Sequence, residues 1–200
     1  MSTLTYADYL QLTPLLGLQK PRSTPPEHDE MLFIVIHQVY ELWFKEMLHE
    51  VEKVKRDFTG GDLFGAIHTF KRLRTIMKTL VQQLDILETM TPMSFSAFRD
   101  RLDTASGFQS YQFREFEFVM GFKRPHMLKH AVGAVALAAL EKRLQEPSVM
   151  DHFYEFLAHR GVAIPKELRE KPAASADQPN EAIQRALLGL YTKRPELAIL

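Results

Sequence analysis

A histidine and a glutamate lie one helical turn apart, at His37 and Glu41, in an otherwise apolar stretch of the sequence. Residues spaced by four share one face of a helix, and these two lie next to the only tryptophan, Trp43. Burying an imidazole among apolar side chains costs free energy unless it has a hydrogen-bond partner. The pattern therefore fits a core histidine bonded to a neighbour or a helix-surface pair with Glu41, and the spacing alone favours these two. It also fits a histidine in a pocket wall that accepts or donates one hydrogen bond to a ligand.

A second candidate is Arg99, which follows Phe98 in a short segment that is apolar on one side. An arginine in such a place most often pairs with a carboxylate of its own chain, here Asp100 or Asp103. The planar guanidinium also suits a two-bond clamp on a ligand carboxylate. The pair Ser106-Gly107 is equally open, because it fits either a turn or a point where bare backbone approaches a flat cofactor closely.

The segment Glu46-Met-Leu-His49 has the spacing of a ligand pair in di-iron helical bundles. Such a site needs a second copy of the motif and two further glutamates on facing helices. Glu155 and His159 are spaced by four residues instead of three. A solvated helix face is therefore the simpler interpretation.

The composition excludes several function classes. The 25 basic and 25 acidic residues give a formal net charge of zero, which offers no basic surface for nucleic acid or an anionic membrane. Cysteine is absent, so disulfides, thiol catalysis and thiolate metal sites are excluded. The N-terminus lacks the pattern of a signal peptide, and the apolar runs are too short to span a bilayer. We therefore expect a cytoplasmic protein without a membrane or nucleic-acid partner.

Helices must position these residues, because apolar side chains recur every three or four residues and no stretch alternates as a strand does. Thr91-Pro92 should end the second long helix, since the residue before proline avoids the helical region. The sequence predicts an all-α bundle of long antiparallel helices with a short N-terminal arm. The predicted helices cover about 27–58, 63–90, 94–102, 108–120, 126–145, 148–158 and 181–191, with an arm or short helix at 6–16 and a polar loop at 171–179.

Six motifs occur together in the order and spacing of the tryptophan 2,3-dioxygenase family. They are Tyr6-x-x-Tyr9-Leu10, His28-Asp-Glu-Met-Leu-Phe33, His37-Gln-x-x-Glu41-Leu-Trp43, Leu87-Glu-Thr-Met-Thr91, Phe98-Arg99-Asp100 and Ser106-Gly-Phe-Gln-Ser110. The chain resembles that family from about Tyr6 to Pro165, and only thinly after Lys166. We expect one haem-dioxygenase-like domain over 1–200, with an arm and loop at 1–26, a helical core at 27–165 and a weakly matching end at 166–200.

The resemblance implies an activity and a set of site residues. Members of this family are homotetramers that bind haem b, an iron cofactor, and insert O2 across the indole C2–C3 bond of L-tryptophan, giving N-formyl-L-kynurenine in the first step of tryptophan catabolism. The resemblance makes His37 the catalytic distal histidine, in contact with the indole N–H, and Arg99 the partner of the substrate carboxylate. The other implied substrate residues are Phe33, Ile34, Val35, Ile36 and Phe95, together with Tyr6, Tyr9 and Leu10 of an arm that completes a neighbour's pocket; Ser106, Gly107 and Phe98 are implied to contact the haem.

Phe95 stands where some family members have tyrosine and others phenylalanine, so we expect it to pack on the substrate without a hydroxyl contact. The family's proximal histidine, the axial ligand of the iron, is expected beyond residue 200, so no metal ligand is predicted within the chain. The chain also ends on an apolar run, Leu197 to Leu200, which suggests a truncated product. The alternative function is a catalytically incomplete fragment, or a non-catalytic helical tryptophan-binding protein that lacks the proximal ligand.

Overall fold

The structure is a computed structural model that describes residues 3–162, 164–169 and 180–193. Within those ranges it contains helices and their connections and no strand, which confirms the predicted all-α class. None of the described helices is both long enough and apolar enough to cross a membrane. The α-helices are α1 (Tyr6–Leu10), α2 (Leu12–Leu15), α3 (His28–Gly60), α4 (Leu63–Leu87), α5 (Pro92–Arg99), α6 (Tyr111–Val119), α7 (Ala134–Gln145), α8 (Val149–His159), α9 (Lys166–Arg169) and α10 (Glu181–Lys193), with 3-10 helices at Asp100–Leu102, Gly107–Gln109 and Pro125–His130.

Two long helices, α3 and α4, dominate the chain with 33 and 25 residues. Gly61, at a φ of 79°, makes the turn between them, in a backbone region that glycine adopts without strain. The helices then run back along each other. The Tyr40 hydroxyl on α3 donates to the Leu80 carbonyl on α4, and Arg72 on α4 forms an ion pair with Glu50 on α3 at 2.6 Å.

The chain divides into two compact units by the density of its internal contacts. Unit 1 is Met1–Leu42 with Lys78–Ala105, and unit 2 is Trp43–Met77 with Ser106–Leu200. The boundaries at Leu42 and Met77 fall inside α3 and α4, so each unit uses part of both long helices. The prediction of a single domain, and its division at residues 26 and 165, stays a prediction.

In unit 1, α5 is fixed at both ends by its sequence. Thr91 caps its N-terminus by accepting the backbone N–H of Ser94 at 3.1 Å, and Pro92 occupies the first turn, where it costs no helical hydrogen bond. At the other end, Phe98 is completely buried. The helix therefore anchors an aromatic ring in the core of the unit one residue before Arg99.

In unit 2, a half-buried arginine organises the polar contacts. Arg143 on α7 forms ion pairs with Glu52 at 2.6 Å, Glu146 at 3.0 Å and Glu115 at 3.2 Å. Burial alone would lower the pKa of Arg143, but the hydrogen bonds that it donates to Glu52 and Glu115, with their negative charges, outweigh burial and raise that pKa. Apolar packing lies beside this network, where Phe118, Met127 and Leu140 form a buried cluster.

Two predicted helices are wrong in their continuity. The range 126–145 is not one helix: a 3-10 helix ends at His130, and α7 begins only at Ala134. Gly133, with a φ of 90°, separates them, because an α-helix cannot include a residue in that conformation. The range 108–120 is also interrupted, since Ser110 caps α6 by accepting the N–H of Phe113 at 3.2 Å.

The predicted arm at 6–16 consists of two short helices, because Gln11 takes a left-handed conformation, with a φ of 53°, between them. The ends of the two long helices differ from the prediction by a few residues. The polar loop predicted at 171–179 and the apolar run at 197–200 lie outside the described residues.

Candidate substrate site and cofactor-contacting segment

His37 is half-buried on α3 and its hydrogen bond defines its tautomer. Its Nδ1 lies 2.7 Å from the backbone carbonyl oxygen of Phe33, one turn earlier. A carbonyl can only accept, so Nδ1 carries the proton and, in the neutral ring, Nε2 holds a free lone pair. The imidazole also lies 4.1 Å from the ring of Phe33. The partner of Nδ1 is thus backbone, and Nε2 is the atom able to accept a hydrogen bond from a ligand.

Three phenylalanine rings form one cluster beside His37, all within unit 1. Phe33 on α3 lies 5.7 Å from Phe95 and 5.6 Å from Phe98, both on α5. Phe95 and Phe98 meet edge to face at 5.5 Å. Aromatic pairs at these separations gain about 0.5–1.5 kcal/mol each beyond the burial of their area. Phe98 is buried while Phe33 and Phe95 are half-buried, so Phe98 anchors the cluster and the other two present apolar surface.

Arg99 follows the cluster at the end of α5 and is exposed. Its guanidinium donates to the backbone carbonyl of Asp103 at 3.1 Å. Among the described residues, no carboxylate lies within ion-pairing distance of it, so the pairing with Asp100 or Asp103 that the sequence allowed is wrong. Asp103 itself has a positive φ of 48°, which is uncommon outside glycine. The positive charge of Arg99 is therefore held in place by backbone and not neutralised by a neighbouring acid.

The remaining predicted substrate residues have different surroundings. Of the three consecutive residues on α3, Ile36 is buried in the core at 4% exposure, Val35 is 39% exposed, and Ile34 is half-buried. Consecutive helical side chains point about 100° apart, so these three cannot line one wall together. Their assignment as substrate residues stays a prediction.

The N-terminal arm exposes its large side chains. Tyr6 and Tyr9 are 75% and 73% exposed, and Leu10 is 40% exposed. The backbone of α1 is nevertheless well defined, because the Thr5 side chain accepts the N–H of Asp8 at 3.2 Å at its N-terminus. The arm is a short capped helix with an uncovered aromatic face.

Ser106 and Gly107 lie in unit 2, at the start of its second segment, and begin a capped 3-10 turn. The Ser106 hydroxyl accepts the N–H of Phe108 at 3.3 Å, and the Gln109 side chain accepts the N–H of Ser106 at 3.4 Å. Apart from Gly107 and its neighbours along the chain, no described residue has an atom within 4 Å of the position that a Cβ on Gly107 would take. Phe108 is 65% exposed, with its ring 6.4 Å from that of His130. Bare backbone and an uncovered aromatic ring next to open space fit the edge of a flat, apolar macrocycle.

The described residues offer no metal site of their own. They contain no group of three or more histidine, aspartate or glutamate side chains placed to hold a metal ion. This finding gives no support to the di-iron alternative at Glu46 and His49. The segment at Ser106 and Gly107 fits the periphery of a haem, whereas none of the histidines in the described ranges is assigned to its iron.

Sequence reasoning missed the polar contacts that surround α3 in unit 1. Glu30 is only 1% exposed and its carboxylate binds the backbone of Arg22 and Ser23, while Gln38 binds Gln19. A glutamate in the first turn of a helix is favourable because of its charge near the helix N-terminus, which needs no burial. The available signal for burial was the position of Glu30 one turn before Phe33, directly before an apolar run, where a carboxylate needs partners.

Comparison with known proteins identifies the family of the chain. The family model described as Tryptophan 2,3-dioxygenase matches residues 1–199. The tryptophan 2,3-dioxygenase of Herpetosiphon aurantiacus is 50% identical over 192 residues, which cover 96% of this chain and 74% of that protein. The tryptophan 2,3-dioxygenases of Anaeromyxobacter sp. strain K and Nocardioides sp. are 46% and 45% identical, over 99% and 98% of this chain and 74% and 76% of theirs. The chain belongs to the tryptophan 2,3-dioxygenase family.

Proposed function

We propose that the protein is a haem-dependent dioxygenase that inserts O2 across the indole C2–C3 bond of L-tryptophan and yields N-formyl-L-kynurenine. The observation that carries the proposal is the arrangement in unit 1. An imidazole whose Nε2 is able to accept a hydrogen bond lies beside a cluster of three phenylalanines, and an arginine with no acidic partner among the described residues follows the cluster on α5. A ligand with an aromatic ring, a ring N–H and a carboxylate matches these three features in turn.

The aromatic cluster supports a role in binding the indole. Phe33 and Phe95 present half-buried apolar faces, which favour a flat ring over water. Because Phe98 is buried behind them, the two faces have little freedom to rearrange, and a bound indole would be held in one orientation. A phenylalanine at position 95 adds apolar area without a hydrogen bond.

His37 and Arg99 supply the polar contacts in this proposal. Nε2 of His37 accepts the indole N–H, and the bond from Nδ1 to the Phe33 carbonyl keeps the ring in the tautomer that this contact requires. Arg99 pairs with the substrate carboxylate, and a charge-assisted contact of this type is stronger than one between neutral groups. Neither side chain has to give up an acidic partner first.

The haem, when bound, supplies the O2 chemistry, and the protein orients the substrate and excludes water. Ser106 and Gly107 are the residues proposed to contact the edge of the haem in unit 2, because the serine side chain is occupied in capping its own turn and the glycine leaves the adjacent space open. Phe98 of unit 1 was also predicted to contact the haem. Its complete burial against Phe33 and Phe95 makes packing its evident role, and haem contact stays a prediction.

The proposal includes a homotetramer in which the arm of one subunit completes the pocket of another. The exposed faces of Tyr6 and Tyr9 support it, since large aromatic side chains on a capped helix are more stable when a partner covers them. Molar mass measured by light scattering, with and without residues 1–16, tests this part. A monomer at micromolar concentration would refute it. A cytoplasmic location stays a prediction from the sequence.

The experiment that tests the function is to express the chain with haem supplied, purify it and record its visible spectrum with and without L-tryptophan. The proposal expects a haem absorption band in stoichiometric amount, a spectral shift on adding tryptophan, and appearance of N-formyl-L-kynurenine under air. Bound haem without any tryptophan-dependent change, or no product, would refute the proposal. Arg99→Lys, which keeps the charge but not the planar fork, is the matched variant for substrate binding.

A further inference from the structure

The segment from Leu18 to Ser23, the strap, has no regular secondary structure and is hydrogen-bonded to α3 at both of its ends. Its C-terminal end is anchored on Glu30, whose Oε1 accepts the backbone N–H of Arg22 at 2.6 Å. The other carboxylate oxygen accepts the backbone N–H of Ser23 at 2.9 Å and also its hydroxyl. Glu30 is 1% exposed and Ser23 is 8% exposed, so these bonds form away from solvent.

The N-terminal end of the strap is anchored on Gln38, two turns further along α3. The Gln38 side chain donates to the backbone carbonyl of Leu18 at 3.3 Å, and its own oxygen accepts the side-chain amide of Gln19. The eight residues from Glu30 to Gln38 rise about 12 Å along the helix. Four residues of extended chain span at most about 14 Å, so the stretch from Gln19 to Ser23 is long enough to join the two anchors.

The two anchors place the strap beside His37. At about 100° per residue, His37 lies about 20° from Glu30 around the helix, and Phe33 lies about 60° from it on the same side. Gln38 lies about 80° from Glu30 on the opposite side. The face of α3 that carries His37 therefore has the strap on one side. Phe33 and the aromatic cluster lie on its other side.

The carboxylate of Glu30 is held in its charged form. Burial alone would raise its pKa, but the Ser23 hydroxyl, the backbone N–H groups of Arg22 and Ser23, and the charge of Arg22 outweigh burial and lower it. A charged group with three donors in a buried place is a strong anchor, because losing a partner would leave unsatisfied polar groups.

We propose that the strap is the second wall of the tryptophan site and that Glu30 is the positioning residue that holds this wall against α3. The inference rests on the proposed function for the identity of the ligand. Glu30 touches neither substrate nor cofactor in this proposal; it acts through the backbone of Arg22 and Ser23. Releasing the strap should widen the site beside His37 and weaken substrate binding, with a smaller effect on turnover at saturation.

The test compares Glu30→Gln with Asp29→Asn. Both substitutions remove one acidic charge from the first turn of α3. Of Asp29 and Glu30, only Glu30 forms a hydrogen bond with the strap among the described contacts. Hydrogen exchange followed by mass spectrometry on the peptide covering residues 18–27 measures directly whether the backbone N–H groups of the strap are still protected. The prolines at 21, 25 and 26 carry no backbone N–H, so few exchanging N–H groups besides those of Arg22 and Ser23 contribute to the signal of this peptide. The Michaelis constant for L-tryptophan tests whether the strap forms a wall of the substrate site.

We expect Glu30→Gln to speed exchange of the strap amides by about tenfold or more, and to raise the Michaelis constant by about fivefold while kcat changes less. Asp29→Asn should change neither. Ser23→Ala removes the hydroxyl's bond to Glu30 and its acceptance of the Glu27 N–H, and it keeps both backbone bonds to Glu30. It should therefore fold even if Glu30→Gln does not, and it should shift both readouts in the same direction by less.

Three results would count against the inference in distinguishable ways. Strap amides that exchange equally fast in the wild type and in Glu30→Gln would show that Glu30 is not the anchor. If the strap is released and the Michaelis constant is unchanged, the strap is not a wall of the substrate site, although the proposed function stands. A wild-type holoenzyme that converts no tryptophan would refute the proposed function, and the wall with it.

Discussion

Replacing His37 by alanine should remove two interactions, the proposed neutral hydrogen bond to the indole N–H and the ring contact with Phe33. The Phe33 carbonyl that accepts from Nδ1 retains the helical hydrogen bond from the backbone N–H of residue 37, so alanine leaves no unsatisfied backbone group. A neutral hydrogen bond contributes about 0.5–1.5 kcal/mol net, which corresponds to about 2- to 13-fold in kcat/KM. Loss of ring contact with Phe33 adds a further, substrate-independent cost.

These two costs can be separated with a substrate that lacks the ring N–H. We expect wild-type enzyme to prefer L-tryptophan over 1-methyl-L-tryptophan, and His37→Ala to lose about 2- to 13-fold of that preference. The assay is kcat/KM for each substrate with each protein, at equal haem content. His28→Ala, at an exposed histidine on the same helix, is the control and should leave the preference intact. If His37→Ala lowers kcat/KM equally for both substrates, the assigned contact with the indole N–H is wrong.

Three further predictions concern Arg99, Glu30 and Gly107. Arg99→Ala should raise the Michaelis constant for L-tryptophan by about 10- to 150-fold, since it removes a charge-assisted contact, and steady-state kinetics showing no change would contradict the carboxylate role. The folded-state pKa of Glu30 lies below its ordinary value of 4.5, so the charged carboxylate stabilises the fold above pH 4.5 and this stabilisation is lost as the pH falls through the folded-state pKa. Urea unfolding should therefore show the wild type to be more stable than Glu30→Gln at pH 7, and the difference should disappear below about pH 4. Gly107→Ala meets no described atom and has no left-handed backbone to strain, so the apoprotein's free energy of unfolding should change by less than about 0.5 kcal/mol while haem binding weakens; unchanged haem affinity would contradict close approach at this residue.

Local sequence signals predicted most of the helices because their causes are local. Apolar periodicity along α3 and α4 and the glycine turn between them are visible in the chain itself. The two errors of continuity came from backbone conformation at single residues. Nothing in the apolar pattern around Gly133 shows that this glycine takes a φ of 90° instead of staying within a helix.

The sequence named candidate site residues but did not indicate their hydrogen bonds. The spacing of His37 and Glu41 suggested a side-chain pair, whereas Nδ1 of His37 bonds the Phe33 carbonyl. An acidic partner was likewise expected for Arg99, whereas its guanidinium bonds a carbonyl in a turn that depends on the unusual backbone of Asp103. Both contacts depend on where carbonyl oxygens point, which a pattern of side-chain types does not encode.

The contrast between Arg99 and Arg143 separates an arginine available to a ligand from a structural one. Arg143 is half-buried and forms ion pairs with three carboxylates, so a ligand anion would have to displace a partner that already satisfies it. Arg99 is fixed by one backbone carbonyl, which orients the guanidinium without neutralising its charge. His37 follows the same rule, since backbone fixes its ring and leaves Nε2 open. Polar side chains that are positioned by backbone and not paired with other side chains keep their bonding capacity for a ligand, and this property distinguishes the candidate site in unit 1 from the ion-pair network of unit 2.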